Sequence, residues 1–185
     1  EDGDLFFESK QGADKPLKVY RNSRPESVRL EVERSLERLG VEHLDLVQVH
    51  WPDPTTPVAD TMGALAELVR EGKVGAVGVS NYDTTLLSEA AAALGEIPLA
   101  SDRPRYSLVH REIEQDILPW VLQHEVGVLV YSPLEQGLLT GKVREDRQFG
   151  EDEGRSRRPS FRPANRAAVN AVLDTVVAPI AADLS

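Results

Sequence analysis

Apolar residues follow two periods along this chain, one typical of buried strands and one typical of helices. Short apolar runs rich in β-branched residues predict strands at 44–49, 74–79 and 126–131, and a further short strand is expected at 99–102. Apolar positions three and four apart predict helices before and between them, at about 25–39, 61–71, 84–94 and 113–124. Strands that alternate with helices through short joints are typical of parallel sheets. The pattern therefore predicts an α/β fold with buried parallel strands.

The first helix has the clearest start and stop signals. Ser23 or Ser27 can cap its N-terminus, and Pro25 suits its first turn. Gly40 ends it, and Gly72 ends the second helix in the same way. The ends of both helices are thus predicted as well as their apolar faces.

Three stretches fall outside this alternation. Residues 1–24 are polar and weakly periodic, which predicts a loop or a short hairpin. Residues 143–163 are rich in Arg, Glu, Asp, Gly and Pro, which is typical either of disorder or of a functional lid. Residues 167–185 are alanine-rich and stop in a helical pattern, and residue 1 is Glu rather than Met. We therefore expect residues 1–185 to form one partial domain, cut from a longer protein.

Composition narrows the class of protein. The 185 residues are 41% hydrophobic and 28% charged, which is typical of a globular domain with a sizeable core. The net charge of -10 argues against a nucleic-acid partner, since phosphate binding depends on clustered Lys and Arg. The chain has no cysteine, which fits a cytoplasmic location, and no apolar run long enough to suggest a membrane partner.

Polar and aromatic groups follow each predicted strand, where parallel α/β folds collect their reactive residues. His50 follows the first strand and can polarise a carbonyl, or it is a hydrogen-bonded structural histidine. Ser80 and Asn81 follow the second and can bind a flat carboxamide, or they cap the next helix. Arg103 lies after the third strand. Tyr131 ends the fourth, where it can stack on a planar ring or fill the mouth of a barrel.

Other kinds of site find no support in the sequence. No GxGxxG turn follows a strand, and no HExxH or His-carboxylate cluster predicts a metal site. His110 and His124 have the setting of ordinary surface or loop histidines. The four strand ends remain the candidate site.

Four blocks of sequence resemble the aldo-keto reductases, in particular the bacterial branch with a long loop after the seventh strand. They are ERSLERLGVEHLDLVQVHWPDP (33–54), LVREGKVGAVGVSNY (68–82), RYSLVHREIE (105–114) and VYSPLEQGLLTGK (130–142). The blocks keep the order and spacing of that family. The resemblance implies an incomplete (β/α)8 TIM barrel that holds about strands four to seven with their helices.

The resemblance also implies roles for the residues at the strand ends. His50 resembles the catalytic histidine that orients the substrate carbonyl, and Ser80 and Asn81 resemble the pair that binds the nicotinamide carboxamide. Tyr131 resembles the residue that stacks on the nicotinamide. The cradle of the cofactor pyrophosphate is implied for Ser132, Leu134, Gly137 and Leu138. The stretch 143–163 then corresponds to a loop that covers the bound dinucleotide.

The chain departs from the family pattern at three points. The catalytic Tyr and Asp of the family have no equivalent here. Lys10 stands at about the right distance from His50 to be the catalytic lysine, but a surface lysine in an insertion is the favoured interpretation. Arg103 occupies a cofactor-binding position where the family usually has Gln, and a guanidinium cannot accept a hydrogen bond from an amide.

The family chemistry implies an NADPH-dependent reductase that converts small aldehydes or ketones to alcohols. The alternatives are a non-catalytic member of the same fold that binds the cofactor for regulation, and a fragment that is inactive alone. A partial barrel has two open sheet edges and exposed apolar surface, which predicts poor solubility or self-association.

Overall fold

Four parallel strands form the sheet predicted by the sequence. The computed structural model describes residues 3–9, 17–150 and 153–184. The strands are β1 Asp4–Ser9, β2 Leu17–Arg21, β3 Leu44–Val49, β4 Val74–Ser80, β5 Leu99–Arg103 and β6 Gly127–Val128. The helices are α1 Pro25–Leu39, α2 Val58–Arg70, α3 Thr84–Leu94, α4 Ile117–Gln123, α5 Pro163–Val172 and α6 Ala178–Asp183, with a π-helical turn at Leu173–Val177.

The chain divides into two compact units. The first unit comprises residues 1–104 and 112–130, and the second comprises 105–111 and 131–185. That they form one barrel domain, as the sequence analysis expects, stays a prediction. None of the helices in the described residues is long and apolar enough to cross a membrane.

In the first unit the sheet has the strand order β3-β4-β5-β6, and all its pairs are parallel. Helices α2 and α3 cover one face, where Met62, Leu65, Leu68, Leu87 and Leu94 are almost fully buried. Val77 and Val79 of β4 pack into the same cluster. The predicted alternation of strands and helices is confirmed, and the apolar faces of α2 and α3 pack against the apolar residues of the sheet.

The prediction that every strand is buried is wrong for β3. Its residues are exposed or half-buried, and Leu46 is 38% exposed. Within the described residues β3 pairs with β4 alone, so it is an edge strand. Leu129 and Val130, which follow β6 at the other edge, are exposed as well. The sheet thus has the open edges that the sequence analysis expects.

The last predicted strand, 126–131, is much shorter in the structure. Only Gly127 and Val128 form β6, after which the amide of Leu129 still donates to the carbonyl of Asp102 at 2.9 Å. Tyr131 belongs to the second unit, where it makes an isolated bridge with Arg105. The pairing between β5 and β6 therefore ends at Leu129, before the end of the predicted strand.

Helix ends agree with the sequence in part. Pro25 opens α1 and Gly40 ends it in the left-handed conformation (φ 67°), as predicted. Neither serine caps it, because the N-cap is Arg24 and no side chain bonds to the free amides. α2 starts at Val58, earlier than predicted, and the helix predicted at 113–124 is a 3-10 turn (Glu112–Glu114) followed by α4.

Residues before α1 form the short hairpin that was one of the two expected alternatives. β1 pairs with β2 antiparallel and takes no part in the parallel sheet. Phe6 of β1 contacts Trp51, with ring centroids 5.3 Å apart. Lys10 itself lies outside the described residues, but β1 before it is not a strand of the barrel.

In the second unit, residues 143–153 form neither helix nor strand in their described part, and two 3-10 turns follow at Gly154–Arg157 and Pro159–Phe161. Leu138, Val143 and Phe161 make a small core. The buried side chains of Arg166 and Asn170 donate to the carbonyls of residues 143, 144 and 147. The alanine-rich region is helical as predicted.

Gly78 of β4 lies where the sheet is most crowded. A Cβ at this position would collide with Ser101 Oγ and would meet the Ser101 carbonyl oxygen at 2.9 Å and Gln48 Cγ at 3.0 Å. We expect Gly78→Ala to lower the free energy of unfolding by about 2 kcal/mol, because overpacking shifts the strands. The matched control is Gly63→Ala in α2, where a Cβ meets nothing within 4 Å and helix propensity improves. Equal denaturation midpoints for the two variants would contradict this expectation.

Candidate functional site

Three strand ends of the first unit are bonded directly to one another. His50 follows β3, Ser80 and Asn81 lie at the end of β4, and Arg103 ends β5. The side-chain amide of Asn81 donates to the carbonyl of His50 at 3.0 Å. The Ser80 hydroxyl donates to the carbonyl of Arg103 at 2.7 Å. Candidate residues from three strands therefore meet at one edge of the sheet.

The imidazole of His50 is exposed, and no described residue hydrogen-bonds to it. It borders a cavity of about 450 Å³ that is also lined by Trp51, Phe6, Phe7 and Tyr20. A structural histidine would be tied down by its ring nitrogens. The geometry therefore favours the alternative in which the ring is available to a ligand.

Asn81 holds its place in the left-handed region, with φ 61°, which asparagine tolerates better than most residues. Its amide also donates to Ser80 Oγ at 3.0 Å. The alternative that Ser80 and Asn81 cap the next helix is wrong, because the N-cap of α3 is Asp83, whose carboxylate accepts from the amide of Leu86. The pair instead ties β4 to its neighbours.

The loop after His50 is fixed by a buried carboxylate that the sequence analysis did not single out. Asp53 accepts from the amide of Ser23 at 3.0 Å and from the hydroxyl of Thr56 at 2.9 Å. Both the amide and the hydroxyl of Thr55 donate to it as well, at 2.8 and 2.7 Å. Burial raises the pKa of Asp53, but these hydrogen bonds lower it by a larger amount. The pKa of Asp53 therefore lies below its usual value.

Tyr82 stands beside this edge but does not offer a proton donor. It is 3% exposed and packs in the core. Burial, with a smaller contribution from the charge of Asp53, raises the pKa of Tyr82 to about 12. A catalytic phenol needs a shift in the opposite direction. Tyr82 is therefore a core residue and not a substitute for the family tyrosine.

In the second unit the predicted cradle is a strained turn. Ser132 has φ 55° and Gly137 has φ 97°. Leu134 is exposed, while Leu138 is 1% exposed and packs against Val143 and Phe161. The side chain of Leu138 thus belongs to the core, and only its backbone remains available to a ligand. Tyr131 is half-buried at the start of this turn.

Sequence reasoning missed a buried carboxylate in that turn. Glu135 is 3% exposed and pairs with Arg105, and Ser107 Oγ donates to it at 2.9 Å. His110 lies outside the helices and strands, as expected of a loop histidine, but its Nδ1 atom is buried and lies 3.4 Å from Glu135 Oε1, a contact that the sequence did not predict. The available signal was a single acidic residue in the otherwise uncharged stretch PLEQGLL. Its partners, Arg105 and Ser107, lie two positions apart in an earlier segment of the chain.

Within the described residues, no group of three or more His, Asp or Glu side chains could hold a metal ion.

Comparison with known proteins decides the family. The profile of the Aldo/keto reductase family matches residues 4–177. This chain belongs to that family. The reductase fold is the (β/α)8 barrel, and the four parallel strands described above are an incomplete part of it.

Two relatives of this chain come from bacteria. Aldo-keto reductase YhdN of Bacillus subtilis is 38% identical over 77% of this chain and 42% of its own length. The NADH-specific methylglyoxal reductase of Escherichia coli is 41% identical over 69% of this chain and 39% of its own length. The chain spans about two fifths of the length of these relatives.

A solved structure agrees with the reductase fold over almost the whole chain. The glycerol dehydrogenase AKR11B4 from Gluconobacter oxydans superimposes with a TM-score of 0.82 at 38% identity. The match covers 91% of this chain and 50% of that enzyme. The family and fold predicted from the four sequence blocks are confirmed.

Proposed function

We propose that this chain serves the reduction of small aldehydes or ketones to alcohols, with NADPH as the hydride donor. The observation that carries the proposal is the bonded edge of the sheet, where Asn81 bonds to the His50 carbonyl and Ser80 to the Arg103 carbonyl. These bonds hold the candidate groups of three strands in fixed positions, and such preorganisation is what a transition state requires.

In this proposal, His50 donates a hydrogen bond to the carbonyl of the substrate. Its ring is exposed and borders a cavity lined by aromatic side chains. A donor placed on a carbonyl oxygen stabilises the negative charge that develops there as a hydride arrives. The proton that completes the alcohol would come from solvent water and be passed on by this exposed ring. The aromatic lining favours substrates with an apolar part next to the carbonyl.

Ser80, Asn81 and Arg103 suit the carboxamide of a nicotinamide. The His50 carbonyl and Ser80 Oγ take both amide hydrogens of Asn81, so Asn81 offers its Oδ1 atom as an acceptor. Arg103 offers donors only, which limits it to the carboxamide oxygen. The bound dinucleotide supplies the hydride. In the second unit, the ring of Tyr131 and the backbone of Ser132, Leu134, Gly137 and Leu138 have the implied roles in stacking and in holding the pyrophosphate.

The choice of NADPH over NADH rests on the family resemblance alone. One relative is named as NADH-specific, so NADH is the competing proposal for the cofactor. Titration of the chain with each dinucleotide, followed by reduced-nicotinamide fluorescence, measures the preference. Binding of NADPH at least tenfold tighter than NADH supports the proposal, whereas the reverse order replaces NADPH by NADH.

We expect His50→Ala to lower the rate of aldehyde reduction by about a hundredfold, the effect of losing one hydrogen-bond donor to a developing oxyanion. NADPH affinity is expected to stay the same, since His50 acts on the substrate. The matched control is His43→Ala, because His43 is also exposed but precedes β3, where its ring bonds to the carbonyl of Gly72. NADPH binding without any oxidation by a simple aldehyde would favour a regulatory member of the fold. A chain that binds neither dinucleotide would contradict the proposal.

A further inference from the structure

Glu135 joins two separate segments of the second unit. Its side chain is 3% exposed, and both of its oxygens accept hydrogen bonds. Oε2 accepts from Nη2 of Arg105, and Oε1 accepts from Nε of Arg105 at 3.3 Å and from the hydroxyl of Ser107 at 2.9 Å. Residues 105–107 thus grip the middle of the turn that follows Tyr131.

The charge of this carboxylate is held in place by its partners. Burial raises the pKa of Glu135, but the hydrogen bonds from Arg105 and Ser107 lower it by a larger amount. The pKa of Glu135 therefore lies below its usual value. The nearby His110 acts in the same direction. A buried, ionised carboxylate that forms a bidentate pair with arginine is restricted to few orientations.

The backbone of the same turn adopts a conformation that costs energy. Ser132, Glu135 and Gln136 have φ values of 55°, 48° and 54°, and Gly137 follows with 97°. Residues other than glycine are uncommon in this left-handed region, and several within six positions persist only where surrounding contacts impose them. Such strain collects at sites that clamp a ligand.

Contacts on either side of Glu135 fix the start of the turn. Arg105 and Tyr131 form a parallel bridge, and the amide of Tyr106 donates to the carbonyl of Tyr131 at 3.5 Å. The amide of Glu135 donates to the carbonyl of Ser132 at 2.9 Å. The side chain of Glu135 is the one charged, buried group that links this turn to residues 105–107 among the described contacts.

We propose that Glu135 is a positioning residue that holds residues 131–138 in their left-handed conformation and thereby sets the affinity for the diphosphate of the dinucleotide. This inference rests on the proposed function. Successive turns into the left-handed region bring backbone N–H groups together into a concavity that binds anions. Glu135 does not touch the ligand; it keeps the concavity formed before the ligand arrives.

Glu135→Gln keeps the size of the side chain and removes its charge. Hydrogen exchange of the peptide covering residues 131–141 is expected to become about tenfold faster without ligand, while peptides of the first unit keep their rates. The dissociation constants for NADPH and for ADP-ribose, which both contain a diphosphate, are expected to rise by about tenfold. The affinity for AMP, which lacks a diphosphate, should not change.

Two further variants and a control separate positioning from loss of the fold. Ser107→Ala removes one bond and keeps the ion pair, so it should have the same effects at about threefold. In the double variant Arg105→Gln/Glu135→Gln the losses should not add, because both changes break one interaction. The control is Glu67→Gln, which breaks an exposed ion pair with Arg29 in the first unit and should leave all these values unchanged.

The outcomes distinguish this inference from the proposed function. If the parent chain binds NADPH and Glu135→Gln binds it equally well, the positioning role is wrong. If AMP and ADP-ribose weaken alike, Glu135 serves the fold only, and the inference is overturned. If the parent binds no dinucleotide, the proposed function fails, and hydrogen exchange alone decides whether Glu135 holds the turn.

Discussion

Asp102→Asn is expected to raise the free energy of unfolding by about 3 kcal/mol at neutral pH. Asp102 of β5 is fully buried, and neither of its carboxylate oxygens has a hydrogen-bond partner. Burial raises the pKa of Asp102 to about 6, and the nearby backbone amide of Arg103, which does not reach hydrogen-bond geometry with either oxygen, offsets this only in part. Asparagine imitates the protonated carboxyl, so the variant avoids the cost of ionising a buried group.

The pH dependence of stability gives the sign of this effect. The pKa of Asp102 is raised in the folded state, so its stabilising contribution is fully present below the usual value of 3.8 and is lost as the pH rises through about 6. The parent chain should therefore lose about 3 kcal/mol of stability between pH 4 and pH 7 from this group. Asp102→Asn should lack that part of the slope.

Urea denaturation from pH 4 to pH 7 measures both expectations. The matched control is Asp45→Asn on β3, where the side chain is exposed and the change should have little effect at any pH. A variant Asp102→Asn that is no more stable than the parent at pH 7, or that keeps the full slope, would show that Asp102 has partners in solution.

The layers of the fold could be predicted because each depends on local patterns. The runs at β3 and β4 are apolar and rich in β-branched residues, and the apolar stripes of α2 and α3 pack against the sheet. Burial of β3 could not be predicted, since a strand in the middle of a sheet and one at its edge have the same apolar run. That difference depends on which strands pair, and pairing is not local.

The site could be predicted only where a residue follows a strand. His50, Ser80 and Arg103 are at the ends of adjacent parallel strands, and the alternation alone brings them to one edge. Glu135 could not be found in this way, and Asp53 follows a strand but its role could not be predicted, because each carboxylate is bonded to donors distant in sequence. Arg105 is 30 residues from Glu135, and the amide of Ser23 is 30 residues from Asp53.

Asp53→Ala is expected to lower the free energy of unfolding by about 4 kcal/mol at neutral pH, since hydrogen bonds to a charged group are strong and their buried donors would be left unpaired. Four donors converge on this carboxylate, from Ser23, Thr55 and Thr56. Ser23 in turn accepts from the hydroxyl of Thr61 through its carbonyl at 2.8 Å. The loss would therefore loosen α1 and α2 from the loop after β3.

The pKa of Asp53 is lowered in the folded state, so its contribution is present above the usual value of 3.8 and is lost as the pH falls through the folded value. The difference in the free energy of unfolding between the parent and Asp53→Ala should hence shrink below about pH 4.

Thr56→Val, which removes a single donor, should lower the free energy of unfolding by about 1 kcal/mol. Asp60→Ala is the control, because Asp60 is an exposed acid in the first turn of α2 and should cost less than about 1 kcal/mol. If Asp53→Ala cost no more than Asp60→Ala, the loop after His50 would have to be held by other contacts than this carboxylate.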